Sequence, residues 1–461
     1  MKPIWQNYNV LIIGAARQGL AAARYFSTHG AKVTLNDNRS ERQLIKEIEN
    51  FKNTNVTWVT GDHPLETLDG KDLVCISGGV SLDIPIILEA KRRNIPLTND
   101  SQIFMQAVKS PVIGITGSAG KTTTTSLLGE IAKNSAGGTK NVWVGGNIGT
   151  PLIEQIDFIE PNDLVILELS SFQLELMTTS PHIAAITNIT PNHLDRHKTL
   201  ESYTSSKARI LDFQCPTDVA VLNRDDAGAW NLKNRVKGRI ASFGLQKSNL
   251  VGNGSFVENG SIFILSDGKS IEICKTKEIN LKGEHNLLNV MAAFTIAHEM
   301  GISRETMQNT LRHFTGVSHR LEFVREVNGV MWYNDSIATA PERTIAAVKS
   351  FSEPIVLLLG GKDKDLPWDR LANLIHIKVD HVIVFGAASE KILAAIGPLE
   401  SDKRPYSISK SENLEDALGV ASEVAESGDI VLLSPGGTSY DEFKDFEERG
   451  EKFRLWVQQL Q

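Results

Sequence analysis

Six consecutive residues, Gly117-Ser118-Ala119-Gly120-Lys121-Thr122, are of the types that grip a nucleotide phosphate. They follow an apolar run, Pro111-Val112-Ile113-Gly114-Ile115, and open a helical pattern from Thr122 to Lys133. Glycines let successive backbone N–H groups turn inward around phosphate oxygens, and a helix N-terminus adds a favourable field. In that setting Lys121 reaches the terminal phosphates and the Thr122 hydroxyl binds Mg2+. Ile115 stands where the pattern GxxxxGK[ST] has its first glycine, so the form here is Thr-Gly-x-x-Gly-Lys-Thr. The alternative, a glycine-rich turn that binds nothing, leaves the Lys-Thr pair without a purpose.

A metal held by one hydroxyl needs further oxygen ligands. Glu168 lies near the end of the apolar run Leu164 to Leu169, where parallel sheets place functional groups. Flanked by Leu167 and Leu169, an ionised Glu168 needs a partner; a metal site and an ordinary strand-end charge both remain open. After the run Ile183 to Thr187 comes Thr190-Pro191-Asn192-His193-Leu194-Asp195-Arg196-His197, whose histidines are by default structural. Lys207, on a following helix, is by default a surface lysine. Asn286 and Asn289 share one face of a long helix at i, i+3 spacing. Ser318-His319-Arg320 offers an arginine that could neutralise a transferring phosphate, and Tyr333-Asn334-Asp335-Ser336 ends a strand. Each of these last clusters reads equally well as a solvated turn.

A second glycine-rich turn, Gly14-Ala15-Ala16-Arg17-Gln18-Gly19, resembles a dinucleotide fingerprint with alanine at the middle glycine. Asp37 lies at the right distance downstream to bind a ribose. Read alone, this turn suggests a nicotinamide-dependent oxidoreductase.

The elements that must carry these residues alternate. Val10 to Ile13, Lys32 to Leu35 and Leu73 to Ile76 read as strands, with a helix from Leu20 to His29, a rhythm that implies a parallel sheet with crossover helices. Near residue 100 the pattern restarts with Pro111 to Ile115, followed by Leu164 to Leu169 and Ile183 to Thr187. The stretch from Lys237 to Ile273, rich in Gly, Asn and Ser, suggests an antiparallel excursion, and a long helix from Asn286 to Met300 follows. A third unit begins after Gly316, with strands at Val330 to Tyr333, Ile355 to Leu359, His381 to Phe385 and Ile430 to Leu433. A chain of 461 residues is too long for one hydrophobic core. The fold class expected is α/β in three domains: a Rossmann-like domain over 1–98, a central P-loop ATPase-like domain over 99–316, and a C-terminal Rossmann-like domain over 317–461.

Composition narrows the function classes. A formal net charge of −7 argues against a nucleic-acid-binding surface. Cys75, Cys215 and Cys274 stand far apart, which excludes a cysteine zinc site and points to a reducing compartment. Neither a basic segment leading into a long apolar run nor a membrane-length apolar window is visible, so a cytoplasmic protein is expected.

Taken in order, the clusters resemble the Mur ligase family across essentially the whole chain. The matching stretches are GITGSAGKTT, Gly145-Gly146-Asn147-Ile148-Gly149, LELSSFQLE at 167–175, NITPNHLDRH at 188–197, GEHNLLNVMAA at 283–293, SHRLE at 318–322, YNDS at 333–336 and LLLGGKDK at 357–364. LELSSFQLE and the C-terminal run from Leu433 to Gly450 look most like the members that join D-glutamate to UDP-N-acetylmuramoyl-L-alanine with ATP, in cytoplasmic peptidoglycan precursor synthesis. The resemblance implies ATP, two Mg2+ ions, small-molecule partners and a monomer. It places Gly117, Ser118, Ala119, Gly120, Lys121, Thr122 and Thr123 on ATP together with Asn286, Asn289, Arg320 and Asp335. Thr122 and Glu168 would hold one Mg2+ and His193 a second, with Lys207, in a helix from Ser202 to Leu211, present as a carbamate. Lys121, Lys207, His193 and Arg320 form the implied catalytic set. Arg17, Gln18, Asp37, Asn38, Arg39, Gly79, Asn147 and Ser170 would take the UDP-linked substrate, and Thr339, Lys364, Ser439 and Phe446 the glutamate.

The chain departs from the family where Asn-Asp-Ser-Lys-Ala-Thr is usual, since Ile337 stands at the lysine. A cation near the reacting phosphate or the incoming amino acid is therefore missing from that position. Gly436-Gly437-Thr438-Ser439-Tyr440 also differs from the usual run of small residues. Both changes fall in the domain that chooses the amino acid and leave L-glutamate open beside D-glutamate.

Overall fold

The computed structural model describes residues 5–460 except 136, 138, 139, 248, 249, 251, 282 and 402, and leaves out the side chain of Asp195. Met1 to Ile4, part of the stretch read for a leader, lie outside the described residues. The chain divides into two compact units, the first ending at Phe314 and the second beginning at Thr315.

The first unit holds two sheets. Five parallel strands run in the order Val56–Thr60, Lys32–Asp37, Asn9–Ile13, Leu73–Ile76 and Leu97–Thr98. The turn between Asn9–Ile13 and the helix Arg17–Thr28 contains Gly14 to Ala16. A second sheet of nine strands has Val112–Thr116 between Leu164–Glu168 and Ile183–Ile186, all parallel. Val112–Thr116 and Leu164–Glu168 are buried at every residue, as expected of strands covered on both faces. Val142–Gly146 completes one edge, and Val219–Asn223 and Arg239–Phe243 extend the other side.

The excursion expected from Lys237 to Ile273 is antiparallel only in part. Arg239–Phe243 and Asn253–Glu258 pair parallel to their neighbours, and the antiparallel hairpins begin with Asn253–Glu258 against Ser261–Ser266 and continue to Lys269–Lys275. The hairpins have a local cause: Asn259-Gly260 and Asp267-Gly268 supply the positive-φ turns that tight hairpins need.

One hydrophobic core serves both sheets. It runs from Val10, Ile12 and Phe26 through Ile103 and Phe104 to Val165, Leu167 and Ile210. Polar bridges reinforce the junction: Arg24 Nη1 meets Glu154 Oε1 at 2.5 Å, and Arg196 Nη1 donates to the Gly78 carbonyl at 2.9 Å.

The second unit is a six-stranded sheet in the order Glu322–Val327, Val330–Asn334, Ile430–Gly436, Ile355–Gly360, His381–Phe385 and Ser407–Lys410. Only Glu322–Val327 runs antiparallel. Alternation along Ile355–Gly360 sends Ile355, Leu357 and Leu359 into one core and Val356 and Leu358 into another. Helices Pro341–Lys349, Asp369–Lys378 and Ser389–Ile396 cover the first, and Leu414–Val424 and Phe446–Gln459 cover the second. Among the described residues no helix is long and apolar enough to cross a membrane.

Candidate active site

The turn from Gly117 to Gly120 joins the buried strand Val112–Thr116 to the helix Lys121–Ser135. Two of its positions exclude any side chain. A Cβ at Gly117 would stand 1.8 Å from Thr187 Oγ1, and one at Gly120, where φ is +81°, would stand 2.1 Å from Asn289 Oδ1. Asn289 in turn donates to Asn286 Oδ1 at 3.2 Å, so the pair expected on one helix face meets the phosphate loop from the helix Glu284–Glu299. The loop is braced on its other side by residues the sequence reading did not assign. Thr187 Oγ1 donates to Ala119 O at 2.6 Å, and the Asn188 amide both accepts from Ala119 N at 2.8 Å and donates to Ala119 O at 3.0 Å. The signal was available in NITPNHLDRH, whose first residue is Asn188.

Thr122 and Glu168 lie together. Thr122 Oγ1 donates to Glu168 Oε2 at 2.8 Å, and Asn147 Nδ2 donates to Glu168 Oε1 at 2.9 Å. Asn147, expected on the muramoyl substrate or the phosphate, also orients the carboxylate. Glu168 is 1% exposed, so it is a buried acid and no solvated strand-end charge. Among the described residues no three His, Cys, Asp or Glu side chains gather to hold a metal alone. A hydroxyl and one carboxylate, completed by substrate phosphates and water, fit Mg2+. Their 2.8 Å separation is close to the edge of a magnesium octahedron, about 3 Å for ligands at about 2.1 Å.

Lys207 is not a surface lysine. Thr199 caps its helix, Leu200–Asp212, by accepting from Ser202 N, and the helix packs Tyr203, Lys207, Ile210 and Leu211 inward. Lys207 is 1% exposed; its Nζ donates to Gly117 O at 2.9 Å and Thr116 Oγ1 at 3.3 Å and lies 4.8 Å over the Tyr203 ring. Burial, aided by the Lys121 cation and opposed by Glu168, pushes its ammonium well below the ordinary lysine range. The lowered proton affinity makes the nucleophilic amine form easier to reach than in an ordinary lysine. Lys121 Nζ also donates to Gly117 O, at 2.9 Å.

His193 has a left-handed backbone, φ +52°, and is exposed, with its ring 5.1 Å from the Phe172 ring. His197 is the buried one: it stacks on Phe172 and pairs with Ser171 Oγ at 2.9 Å, the structural role expected of a histidine by default. Ser170 caps the short helix Ser171–Leu174 in a capping box with Gln173.

At the first turn, Asp37 is engaged by the protein. Its Oδ2 accepts from Ala15 N at 2.7 Å and its Oδ1 from Arg39 Nε at 3.0 Å, while Arg39 Nη2 reaches Ala15 O at 3.1 Å. Although burial opposes it, the Arg39 guanidinium and the backbone N–H groups hold the carboxyl below its usual range. Gln18 Oε1 accepts from Gly78 N at 3.2 Å, tying the turn to the residue before Gly79. Arg17, Asn38 and Gly79 are exposed beside it.

In the second unit Asp335 is buried, with Ser434 Oγ donating to its Oδ2 at 2.8 Å and Leu321 N to its Oδ1 at 3.2 Å. Burial raises its carboxyl to about 7. Lys364 Nζ donates to Thr339 Oγ1 at 3.3 Å. Arg320 is exposed, Ser439 is buried, and Phe446 packs edge-on at 6.4 Å from His319. Arg449, within the C-terminal motif but given no role from sequence, is fully buried and holds this region: its guanidinium donates to Ser336 Oγ, Ser336 O and Gly437 O.

Three family models match the chain in order: the Mur ligase MurD-like N-terminal domain over 8–99, the Mur ligase middle domain over 115–297, and the Mur ligase glutamate ligase domain over 319–437. Relatives named UDP-N-acetylmuramoylalanine--D-glutamate ligase include one from Thermoanaerobacter sp. (strain X514), 40% identical over 98% of both chains. Another, from Clostridium perfringens (strain 13 / Type A), is 38% identical over 98% of this chain and 97% of its own. Among solved structures, the fold is similar to UDP-N-acetylmuramate-alanine ligase MurC from Thermotoga maritima, with a TM-score of 0.55 and 18% identity over 98% of this chain and 99% of that one. It is also similar to MurF from Acinetobacter baumannii, with a TM-score of 0.57 and 17% identity over 99% and 92%. The chain belongs to the Mur ligase family. It is an ATP-dependent ligase that forms an amide bond, and the nicotinamide reading of the first glycine turn is set aside.

Proposed function

We propose that this chain joins D-glutamate to UDP-N-acetylmuramoyl-L-alanine in the cytoplasm, as a monomer using ATP and two Mg2+ ions. The observation that carries the reading is the convergence of Lys121, Lys207, Thr122 and Glu168 around Gly117 to Thr122, since this is what a phosphate destined for a carboxylate requires. Near-full-length likeness to relatives bearing the D-glutamate ligase name supports the choice of substrates.

In the first step the substrate carboxylate oxygen forms a bond to the γ-phosphorus as the bond to the β-bridging oxygen breaks, giving an acyl phosphate and ADP. The glutamate amine then forms the C–N bond, phosphate leaves with its oxygen, and the amine gives up a proton. Loop N–H groups and Lys121 hold the terminal phosphates, with Arg320 assigned to the charge on the transferring group. Thr122 and Glu168 would hold one magnesium ion, His193 and a carbamylated Lys207 the second; bound magnesium supplies charge neutralisation on the phosphates. Carbamylation adds CO2 to the neutral Lys207 amine with loss of one proton and leaves that side chain an anion.

Gly117 to Thr123, Asn286, Asn289, Arg320 and Asp335 are assigned to ATP. The first turn, with Arg17, Gln18, Asp37, Asn38, Arg39 and Gly79, is assigned to the UDP end, and Asn147 and Ser170 to the muramoyl end. Thr339, Lys364, Ser439 and Phe446 are assigned to glutamate. Domains over 1–98, 99–316 and 317–461 accommodate this division. The test is phosphate release with UDP-N-acetylmuramoyl-L-alanine and paired D- and L-amino acids. Release with D-glutamate alone is expected; equal turnover with L-glutamate or a diamino acid overturns the substrate.

A further inference from the structure

Glutamate carries two carboxylates, yet the residues assigned to it above include one cation, Lys364; Thr339, Ser439 and Phe446 are uncharged. A second cation stands in the same part of the second unit. Arg343 lies in the first turn of the helix Pro341–Lys349, exposed overall but with a partly buried guanidinium. Its side chain folds back along the preceding loop, where Nη1 donates to the carbonyl oxygen of Ile337 at 3.0 Å. That same carbonyl accepts from Thr339 N at 2.9 Å, and Thr339 Oγ1 accepts from Lys364 Nζ at 3.3 Å. A continuous chain of hydrogen bonds therefore links Arg343 to Thr339 and Lys364, and it places a guanidinium against the backbone of residue 337, whose own side chain carries no charge.

The charge balance points the same way. Burial and the Arg320 cation hold the Arg343 guanidinium below its ordinary range, and burial, Arg343 and Arg449 do the same to the Lys364 ammonium. The acid facing Arg320 and Arg343 is Asp335, whose two oxygens are already engaged by Ser434 and Leu321. Arg320, Arg343 and Lys364 repel one another in sequence, Asp335 is already engaged, and Asp441 and Glu442 face Arg449, so an anion bound beside Arg343 and Lys364 relieves the repulsion. A guanidinium keeps donors to spare after one bond and presents them in a fork that matches a carboxylate.

We propose that Arg343 binds a carboxylate of the incoming amino acid, pairing with Lys364 so that each carboxylate of a dicarboxylic acceptor meets one cation. This rests on the ligase reading above. It assigns to a helix-borne arginine the charge that the sequence lacks at residue 337.

The experiment compares steady-state phosphate release by the full chain and by Arg343→Gln, Arg343→Lys and the double variant Ile337→Lys/Arg343→Gln. Arg343→Gln is expected to raise the KM for D-glutamate by about tenfold or more while the KM for ATP stays within about twofold. One lost charge-assisted pair, about 1.5–3 kcal/mol, corresponds to that range. Arg343→Lys should recover part of the loss, and the double variant should recover part by restoring a cation on the same loop; either recovery also shows that the variants fold. An unchanged KM for D-glutamate overturns the proposal. So does a rise confined to the KM for ATP, which would place Arg343 on the phosphate. If the unaltered chain prefers another amino acid, the D-glutamate reading falls separately, and the same KM comparison on that acceptor still decides for or against Arg343.

Discussion

Asn147 Nδ2 holds one oxygen of Glu168 at 2.9 Å while Thr122 Oγ1 holds the other at 2.8 Å, so the buried carboxylate is aimed from both sides. A residue that orients a metal-binding carboxylate typically costs about 10–100-fold in metal affinity when removed. Asn147→Ala should therefore shift the half-saturating Mg2+ concentration upward by that factor, and Glu168→Gln by more. A magnesium titration of phosphate release checks this; an unchanged midpoint in both variants would remove Glu168 from the metal.

Gly120→Ala should be damaging for two independent reasons. The new Cβ would meet Asn289 Oδ1, and the left-handed backbone costs an L-residue on the order of 1–3 kcal/mol. Combining it with Asn289→Ala removes the collision and leaves the backbone strain. The unfolding midpoint should fall in the single variant and recover only partly in the double. Full recovery would show that the backbone conformation carries no cost.

Carbamylation of Lys207 is open to direct observation. Protein equilibrated with 13C-bicarbonate should give a carbamate carbon resonance that is absent from Lys207→Arg, whose guanidinium does not take up CO2. Burial lowers the proton affinity of the amine, which favours uptake, because the neutral form is the one that reacts. Identical spectra from both proteins would rule out the modification.

Asp335 gives the stability of the protein a pH dependence with a definite sign. Its folded-state value of about 7 lies above the ordinary 3.8, so between these values the folded form holds a proton that the unfolded form has released. The resulting stabilisation is complete below pH 3.8 and is lost as pH rises through 7, on the order of 4 kcal/mol in all. Asp335→Asn removes the titration. The stability difference between variant and parent, measured by denaturant unfolding, should grow in favour of the variant from pH 4 to 7; a difference independent of pH would sink the argument.

Strands bounded by uniform apolar runs were readable from the sequence. Leu73–Ile76 and His381–Phe385 fall where the runs place them, because burial on both faces leaves a continuous signal. Edge strands were not readable: Glu322–Val327 mixes three apolar with three charged residues and forms no continuous apolar run, and Leu97–Thr98 is two residues long. The chemistry followed the same rule. Gly117 to Thr122 is contiguous and carries its meaning in its order. Lys207 and Glu168 are 39 positions apart by residue number, and nothing local distinguishes a lysine buried beneath a phosphate loop from one in solvent. Arg343 was hidden for a related reason, since its service to residue 337 depends on a side chain folding back over one helical turn.

The core shared by the two sheets of the first unit makes that unit a ruler. With Val10 and Phe26 packed into the same cluster as Val165 and Ile210, the turn at Gly14 and the loop at Gly117 keep a fixed separation. On the proposed assignment, a substrate anchored by its uridine at the first turn would present its free carboxylate at a set distance, and only a linker of the right length would deliver it to the phosphate. One additional amino acid would carry the carboxylate roughly 3.5 Å too far. On that assignment, selection against longer and shorter precursors would be built into the packing of apolar side chains away from both ends of the substrate.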